Sequence, residues 1–197
     1  MAKKKLTLKQ QESLDWWNEK LKKYQSKKFI PKDYKKMNRR AIRAGSLVTF
    51  SYPNPKTPLK ILRAFDAQPL AFIFRIGKNI HAINLHWTPR PMRKIILEYI
   101  IKINKHNVKN DKRFELSWEM LKQFLHRNGL ADVITKQYIK GRIQKLEYIK
   151  PAEYKYIAEL PSEKFILDGQ FSEEDLQALI YRHIKKTKSV KNKRYGR

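Results

Sequence analysis

One run of the sequence, Ile83 to Arg93, gathers side chains whose types and spacing suit the holding of a phosphate: Asn84, His86, Arg90 and Arg93. Asn84 and His86 stand two apart in an alternating stretch, which puts them on one face of a strand. Arg90 and Arg93 stand three apart just past the Thr88-Pro89 break, where a helix is expected to open, and so share a helix face. The first turn of a helix leaves backbone N–H groups unpaired and favours anions. Four polar side chains and those donors can therefore converge on one phosphate. The competing reading makes Asn84 and His86 partners of buried backbone groups at a strand-to-helix corner.

Other chemistries find no support in the spacing. The histidines, at 81, 86, 106, 126 and 183, form no His-x3-His or His-Glu-x-x-His pattern, so no zinc site is expected. With no cysteine, disulfides and thiolate metal sites are excluded. Glu173 and Glu174 adjoin but have no partner motif, and the sparse acids form no two-metal cluster. Neither a phosphate-cradling Gly-x-x-x-x-Gly-Lys nor a Gly-x-Ser-x-Gly occurs. The expectation is a protein without catalysis, cofactor or metal.

Charge points to the partner. Lys and Arg number 45 against 18 Asp and Glu, a formal net charge of +27 over 197 residues. Such an excess repels itself when folded, and a polyanion relieves it. Nucleic acid is the first candidate, held through counterion release at its phosphates. The expected contacts are Lys35, Lys36, Arg39, Arg40 and Arg43 near the N-terminus, then Asn84, His86, Arg90 and Arg93. Lys136, Lys140 and Arg142 follow, and near the C-terminus Lys185, Lys186, Lys188, Lys191, Lys193 and Arg194. Trp16, Trp17, Tyr24, Phe29 and Tyr34 are interleaved with basic residues, an arrangement that suits base stacking; for Trp17, packing on the core is the favoured reading. An anionic membrane would require an amphipathic basic helix with apolar anchors. The most apolar stretch, Met92 to Ile103, is interrupted by Arg93, Lys94, Glu98 and Lys102, so no span and no membrane partner are expected. No apolar segment of signal-peptide type follows the basic start.

These residues need elements to hold them. Hydrophobic residues make up 41% of the chain, enough for a core. Residues 1–45 read as a basic helical arm, with Leu14, Trp17, Leu21 and Tyr24 as a helical stripe. Ser46 to Tyr52, Pro69 to Ile76 and Ile80 to Trp87 alternate as strands, the last two joined by a Gly77-Lys78-Asn79 turn into an antiparallel hairpin. Helices are expected from Pro91 to Asn104, Ser117 to Arg127 and Ala131 to Leu146, with Gly129 ending the second. The last two, joined through Gly129, superficially match a helix-turn-helix, although two amphipathic helices joined by a Gly turn are mostly a plain packed hairpin, which is the favoured reading. Short extended segments follow from Tyr148 to Leu167, then a helix from Ser172 to about Lys186. The fold class expected is α+β: a small antiparallel sheet, barrel-like if closed, packed with helices over 46–181 and flanked by the arm and a basic flexible tail at 182–197.

Residues 46–167 carry a resemblance. Ser46 to Tyr52, the Pro53 to Pro58 loop, Pro69-Leu70, Ile83-Asn84-Leu85-His86-Trp87, Pro89 to Arg93 and the helix at Phe114 to Leu121 are similar to a family of virion proteins of large tailed bacteriophages. Some members of that family are labelled DNA end-protector or head-completion proteins. The chain departs from the family at Ala82, where glycine is usual, at Trp87, where tyrosine is usual, and at Arg63-Ala64-Phe65-Asp66 in the loop. The resemblance implies a virion protein, in the host cytoplasm during assembly, that touches packaged DNA, blocks a DNA end sterically and meets other virion proteins. Two other readings stand beside it: a structural head-tail connector component, and an RNA-binding protein of ribosomal type.

Overall fold

The structure is a computed structural model and describes residues 6–26, 42–53, 66–106, 111–161 and 178. The order is α1 (Leu8–Ser26), β1 (Leu47–Ser51), β2 (Leu70–Ile76), β3 (Asn79–Asn84), a 3-10 turn (Leu85–Trp87), α2 (Arg90–His106), α3 (Asp111–Arg127), α4 (Ala131–Ile134), β4 (Thr135–Ile139), a second 3-10 turn (Lys140–Arg142), β5 (Gln144–Tyr148), a third (Pro151–Glu153) and α5 (Tyr154–Glu159). The α+β class expected from the sequence holds.

The five strands form one antiparallel sheet in the order β4-β3-β2-β1-β5. β4 and β5 are neighbours in sequence yet occupy opposite edges. In a flat sheet they would lie four strand spacings apart, roughly 19 Å. A 3-10 turn with one extended residue on either side reaches only about 13 Å. The sheet must therefore roll. Its rolling brings β1 against β4: Phe50 and Tyr52 meet Tyr138 edge to face at 4.9 and 5.2 Å, and the Tyr52 hydroxyl accepts from Ile139 N at 3.1 Å. No strand ladder joins the two edges, so the sheet is a rolled, open one rather than a closed barrel.

Two bulges shape it. Between Ile73 and Arg75 the β2 strand carries one extra residue, which reverses its facing, so Arg75 pairs with His81 and Ile76 with Ile80. The simple alternation expected for Phe72, Phe74 and Ile76 therefore breaks at Ile76, which packs on the other face from Phe72. On β5 the irregularity opposite Thr49 and Ser51 coincides with Lys145 at a left-handed φ of 48°.

The rolled sheet has a core on each face. Inside lie Val48, Phe50, Tyr52, Ala71, Ile73, Ile80, Ala82, Tyr138 and Ile143. Outside, Leu47, Leu70, Phe72 and Ile83 meet apolar residues of the helices, including Ile96 and Ile100 of α2 and Leu121 and Leu125 of α3. Gly129 (φ 66°) ends α3 as expected, with Leu130 N bonding Leu125 O at 2.8 Å and Gly129 N bonding His126 O at 3.1 Å. That pair of bonds is a Schellman motif.

Three expectations are corrected. The helix expected over Ala131 to Leu146 is one turn, α4, followed by β4 and β5, so no second helix exists to enter a groove. α3 begins at Asp111, six residues before the start expected at Ser117. Of the segment expected to be extended from Tyr148 to Leu167, Pro151–Glu153 form a 3-10 turn and Tyr154–Glu159 form α5, while residues 162–167, like the helix expected from Ser172, lie outside the described residues.

α1 starts on a reciprocal cap, Thr7 N to Gln10 Oε1 at 2.8 Å and Gln10 N to Thr7 Oγ1 at 3.3 Å. The helix is part of the core, although the expected arm lay outside it: Trp17 is fully buried, as its packing reading required. Trp16 stacks on Tyr156 at 5.6 Å, and its indole donates to Glu153 at 3.1 Å. Lys20 bridges Glu147 at 3.2 Å and Glu153 at 2.7 Å. Burial alone would raise the Glu153 pKa, but hydrogen bonds from Lys20, Lys150 N and Trp16 together hold it below the usual carboxylate range. A carboxylate depressed in the folded state stabilises above its unfolded pKa and loses that contribution as pH falls through the folded pKa. Acid titration from about pH 5 to pH 3 is therefore expected to loosen α1 in the wild type more than in Glu153→Gln, read as tryptophan emission and thermal midpoint. Parallel acid profiles for the two proteins would remove Glu153 from this role.

Candidate nucleic-acid interface

The corner at residues 84–93 is built, but it is turned inward. Asn84 ends β3, and its side-chain oxygen accepts from His86 N at 2.9 Å, which caps the 3-10 turn. Its amide donates to Asp66 Oδ2 at 2.8 Å and to the Tyr138 hydroxyl at 3.2 Å. His86 Nδ1 lies 2.9 Å from the same Asp66 oxygen, and Asp66 Oδ1 accepts from Gln68 N at 3.0 Å. Asn84 is 1% exposed and His86 0%, with Trp17 edge-on to the imidazole at 5.0 Å. The convergence expected of Asn84 and His86 is real, but they converge on a carboxylate of the chain itself. Burial pushes the Tyr138 hydroxyl pKa well above its usual value, and the Asp66 charge adds to it.

Arg93 is likewise buried, at 0% exposure. Its guanidinium donates to Thr88 O at 2.8 Å, Ile157 O at 3.0 Å and Leu160 O at 2.6 Å. It thereby neutralises the carbonyl end of α5, where a cation is favoured. Asn84, His86 and Arg93, expected as phosphate contacts, are thus buried groups bonded within the chain.

Arg90, half-buried at the start of α2, shares the field of Glu159 with Lys9 and Lys94. Lys94 bonds that carboxylate at 2.6 Å; this bond, against burial and helped by the three positive charges, holds the Glu159 pKa below its usual range. Lys136 on β4 places its ammonium 4.1 Å from the Trp87 ring centre, a cation–π contact. Burial lowers its pKa to about 8, with Asp66 opposing the fall. Lys136 is thus partly committed to the interior. Lys140 and Arg142 lie in the turn between β4 and β5, where no residue is buried. Arg43 is exposed in the turn before β1, where its charge acts on Tyr148. Lys35, Lys36, Arg39, Arg40, Lys185, Lys186, Lys188, Lys191, Lys193 and Arg194 lie outside the described residues.

Sequence reasoning missed Asp66, the hub of the corner. A signal was present: between Tyr34 and Leu97 it is the single acid. A lone carboxylate in so basic a stretch marks a position with specific partners. Arg75 and Lys78, which the sequence reading did not single out, are exposed near and on the β2–β3 turn.

Acids concentrate on the helices, which carry bases as well, while the strands and their turns hold mostly bases. The helical layer carries Glu12, Asp15 and Glu19 on α1, Glu98 on α2, Asp111, Glu115 and Glu119 on α3, Asp132 on α4, and Glu153 and Glu159 at α5. The strands hold one acid, Glu147, bonded to Lys20. Asp66, just before β2, is buried. Among the described residues, no three His, Asp or Glu side chains gather as metal ligands, and no helix is long and apolar enough to cross a membrane. No family model, curated protein or solved structure matches this chain.

Proposed function

We propose that this protein binds duplex DNA through its phosphate backbone, without base-specific reading and without covalent chemistry. The observation that carries the reading is the placement of charge: in a chain of net charge +27, ten of the twelve described acids lie on or at the helices, and the strands and their turns carry mostly bases. A one-signed face attracts a polyanion over a distance and binds it by releasing counterions. The resemblance of residues 46–167 to tailed-phage virion proteins supplies the setting, a packaged genome whose end is blocked sterically.

Affinity for a short blunt duplex is expected to fall steeply with salt. With about six phosphates neutralised, the log–log slope of the association constant is roughly −5. Fluorescence anisotropy across a salt series measures it. A slope near zero, or no binding even at roughly 50 mM salt, sinks the reading. Protection of linear but not nicked circular DNA from an exonuclease tests the end-blocking part separately.

A further inference from the structure

We infer that the turn of the β2–β3 hairpin and the 3-10 turn between β4 and β5 form a two-pronged phosphate grip for a DNA duplex, made by Arg75, Lys78, Lys140 and Arg142. The inference rests on the proposed backbone binding and says where on the molecule that binding occurs.

The register places the prongs side by side. Asn79 pairs with Ile139 across the β3–β4 ladder, so Lys78 and Lys140 leave adjacent strands at the same end of the rolled sheet. The β2 bulge sets Arg75 opposite His81, close to that end, and Arg142 lies two residues beyond Lys140. Neighbouring strands are about 4.8 Å apart, within the reach of long basic side chains toward successive phosphates of one strand. The flanking sequence adds no negative charge: no acid occurs from Ala67 to Leu97 or from Val133 to Leu146. Lys78 and Arg75 are exposed, Lys140 and Arg142 are half-buried, and a side chain at Gly141 would meet nothing within 4 Å, so the tip of the second turn is open.

The chemistry around the prongs selects the partner. A membrane surface would need apolar anchors beside the charges. The large apolar residues exposed among the described ones are Leu8, Ile95, Met120 and Tyr148, on α1, α2, α3 and β5, and none belongs to either turn. A single strand would need open aromatic faces on which to stack bases. Phe74, next to Arg75 in β2, is already stacked on Trp118 at 4.2 Å and 10°. What remains is a charged hairpin end, and a two-stranded ribbon fits a duplex groove with its basic residues on the flanking phosphates.

The test compares two variants that each lose four positive charges. One carries Arg75→Ala, Lys78→Ala, Lys140→Ala and Arg142→Ala. The other carries Lys22→Ala, Lys102→Ala, Arg127→Ala and Lys155→Ala, all exposed on helices. Binding to a blunt duplex, to a single strand of the same length and to vesicles containing anionic lipid is followed across salt. The hairpin-end variant is expected to lose roughly three from the magnitude of the duplex salt slope, and the helix variant less than one. Equal losses in both variants overturn the grip while leaving backbone binding intact. Failure of the wild type to bind duplex overturns the underlying reading instead, as does binding to vesicles alone. Tighter binding to the single strand than to the duplex overturns the choice of partner. Should the four-fold variant unfold, Lys78→Glu and Arg142→Glu, made singly, take its place, and unchanged duplex affinity in both overturns the grip.

Discussion

Arg93→Ala is expected to lower the stability of the protein by about 3–5 kcal/mol, the size seen when a buried charge network loses one partner. The guanidinium is fully buried and joins the start of α2 to the end of α5 through three backbone carbonyls. Truncation leaves the carbonyls of Thr88, Ile157 and Leu160 without this donor in a space closed to solvent, and opens a cavity of arginine size. Each uncompensated buried polar group costs about 1–3 kcal/mol. Arg93→Lys keeps the charge but cannot span the three acceptors with one ammonium, so it recovers only part of the loss. Urea unfolding of both, beside exposed Arg127→Ala, measures the difference. Arg127→Ala should stay within about 0.5 kcal/mol of wild type. A cost below about 1 kcal/mol for Arg93→Ala would mean that water takes over the carbonyls and that the corner is less closed than its burial indicates.

Asp66→Ala is the second large effect, expected at about 3 kcal/mol or more. One carboxylate accepts from Gln68 N, from the Asn84 amide and from the His86 imidazole, and all three side chains except that of Gln68 are buried. His86→Ala removes one donor and should cost about 1–3 kcal/mol. Because the two residues share a bond of 2.9 Å, the double variant should cost clearly less than the sum of the singles, by about 0.5–3 kcal/mol. Strict additivity would show that the bond contributes nothing. Asp66→Asn serves as the shape-preserving control. Its amide puts a donor where acceptors are needed, so it should remain well below wild type. Neither variant removes a residue of the hairpin end, and DNA binding by the folded fraction should persist with its salt slope unchanged. That outcome separates the corner from the binding surface.

The parts of the fold that were legible are those whose causes are local. β1, β2 and β3 alternate over five to seven residues and are bounded by Gly, Pro and Asn, so their period reads directly. α2 follows a Pro-rich opening, and the end of α3 follows from Gly129, because a left-handed residue there needs no Cβ. The stretch 135–148 was misread for a physical reason. Tyr138, Ile139, Ile143 and Leu146 fit a helical face about as well as they fit two strands around a turn. Pairing decided for strands, and the partners lie far away in sequence, in β3 and β1. Its β-branched content and Gly141 were the available hints.

The amino-acid sequence by itself determined the sign and size of the charge, the absence of cysteine chemistry, the α+β class and the local turns. All of these depend on composition or on neighbours a few residues apart. The tertiary structure decided which charges face water. Arg90 and Arg93 stand three apart on one helix, yet one is half exposed and the other holds three carbonyls in the interior. Asn84 and His86 turned inward because Asp66, 18 and 20 residues away, supplies the acceptor they need. Lys78 and Lys140, 62 positions apart by their numbers, came together because the β3–β4 register sets them there. Burial and register are properties of contacts between distant segments, and a periodic pattern along one segment carries no record of them.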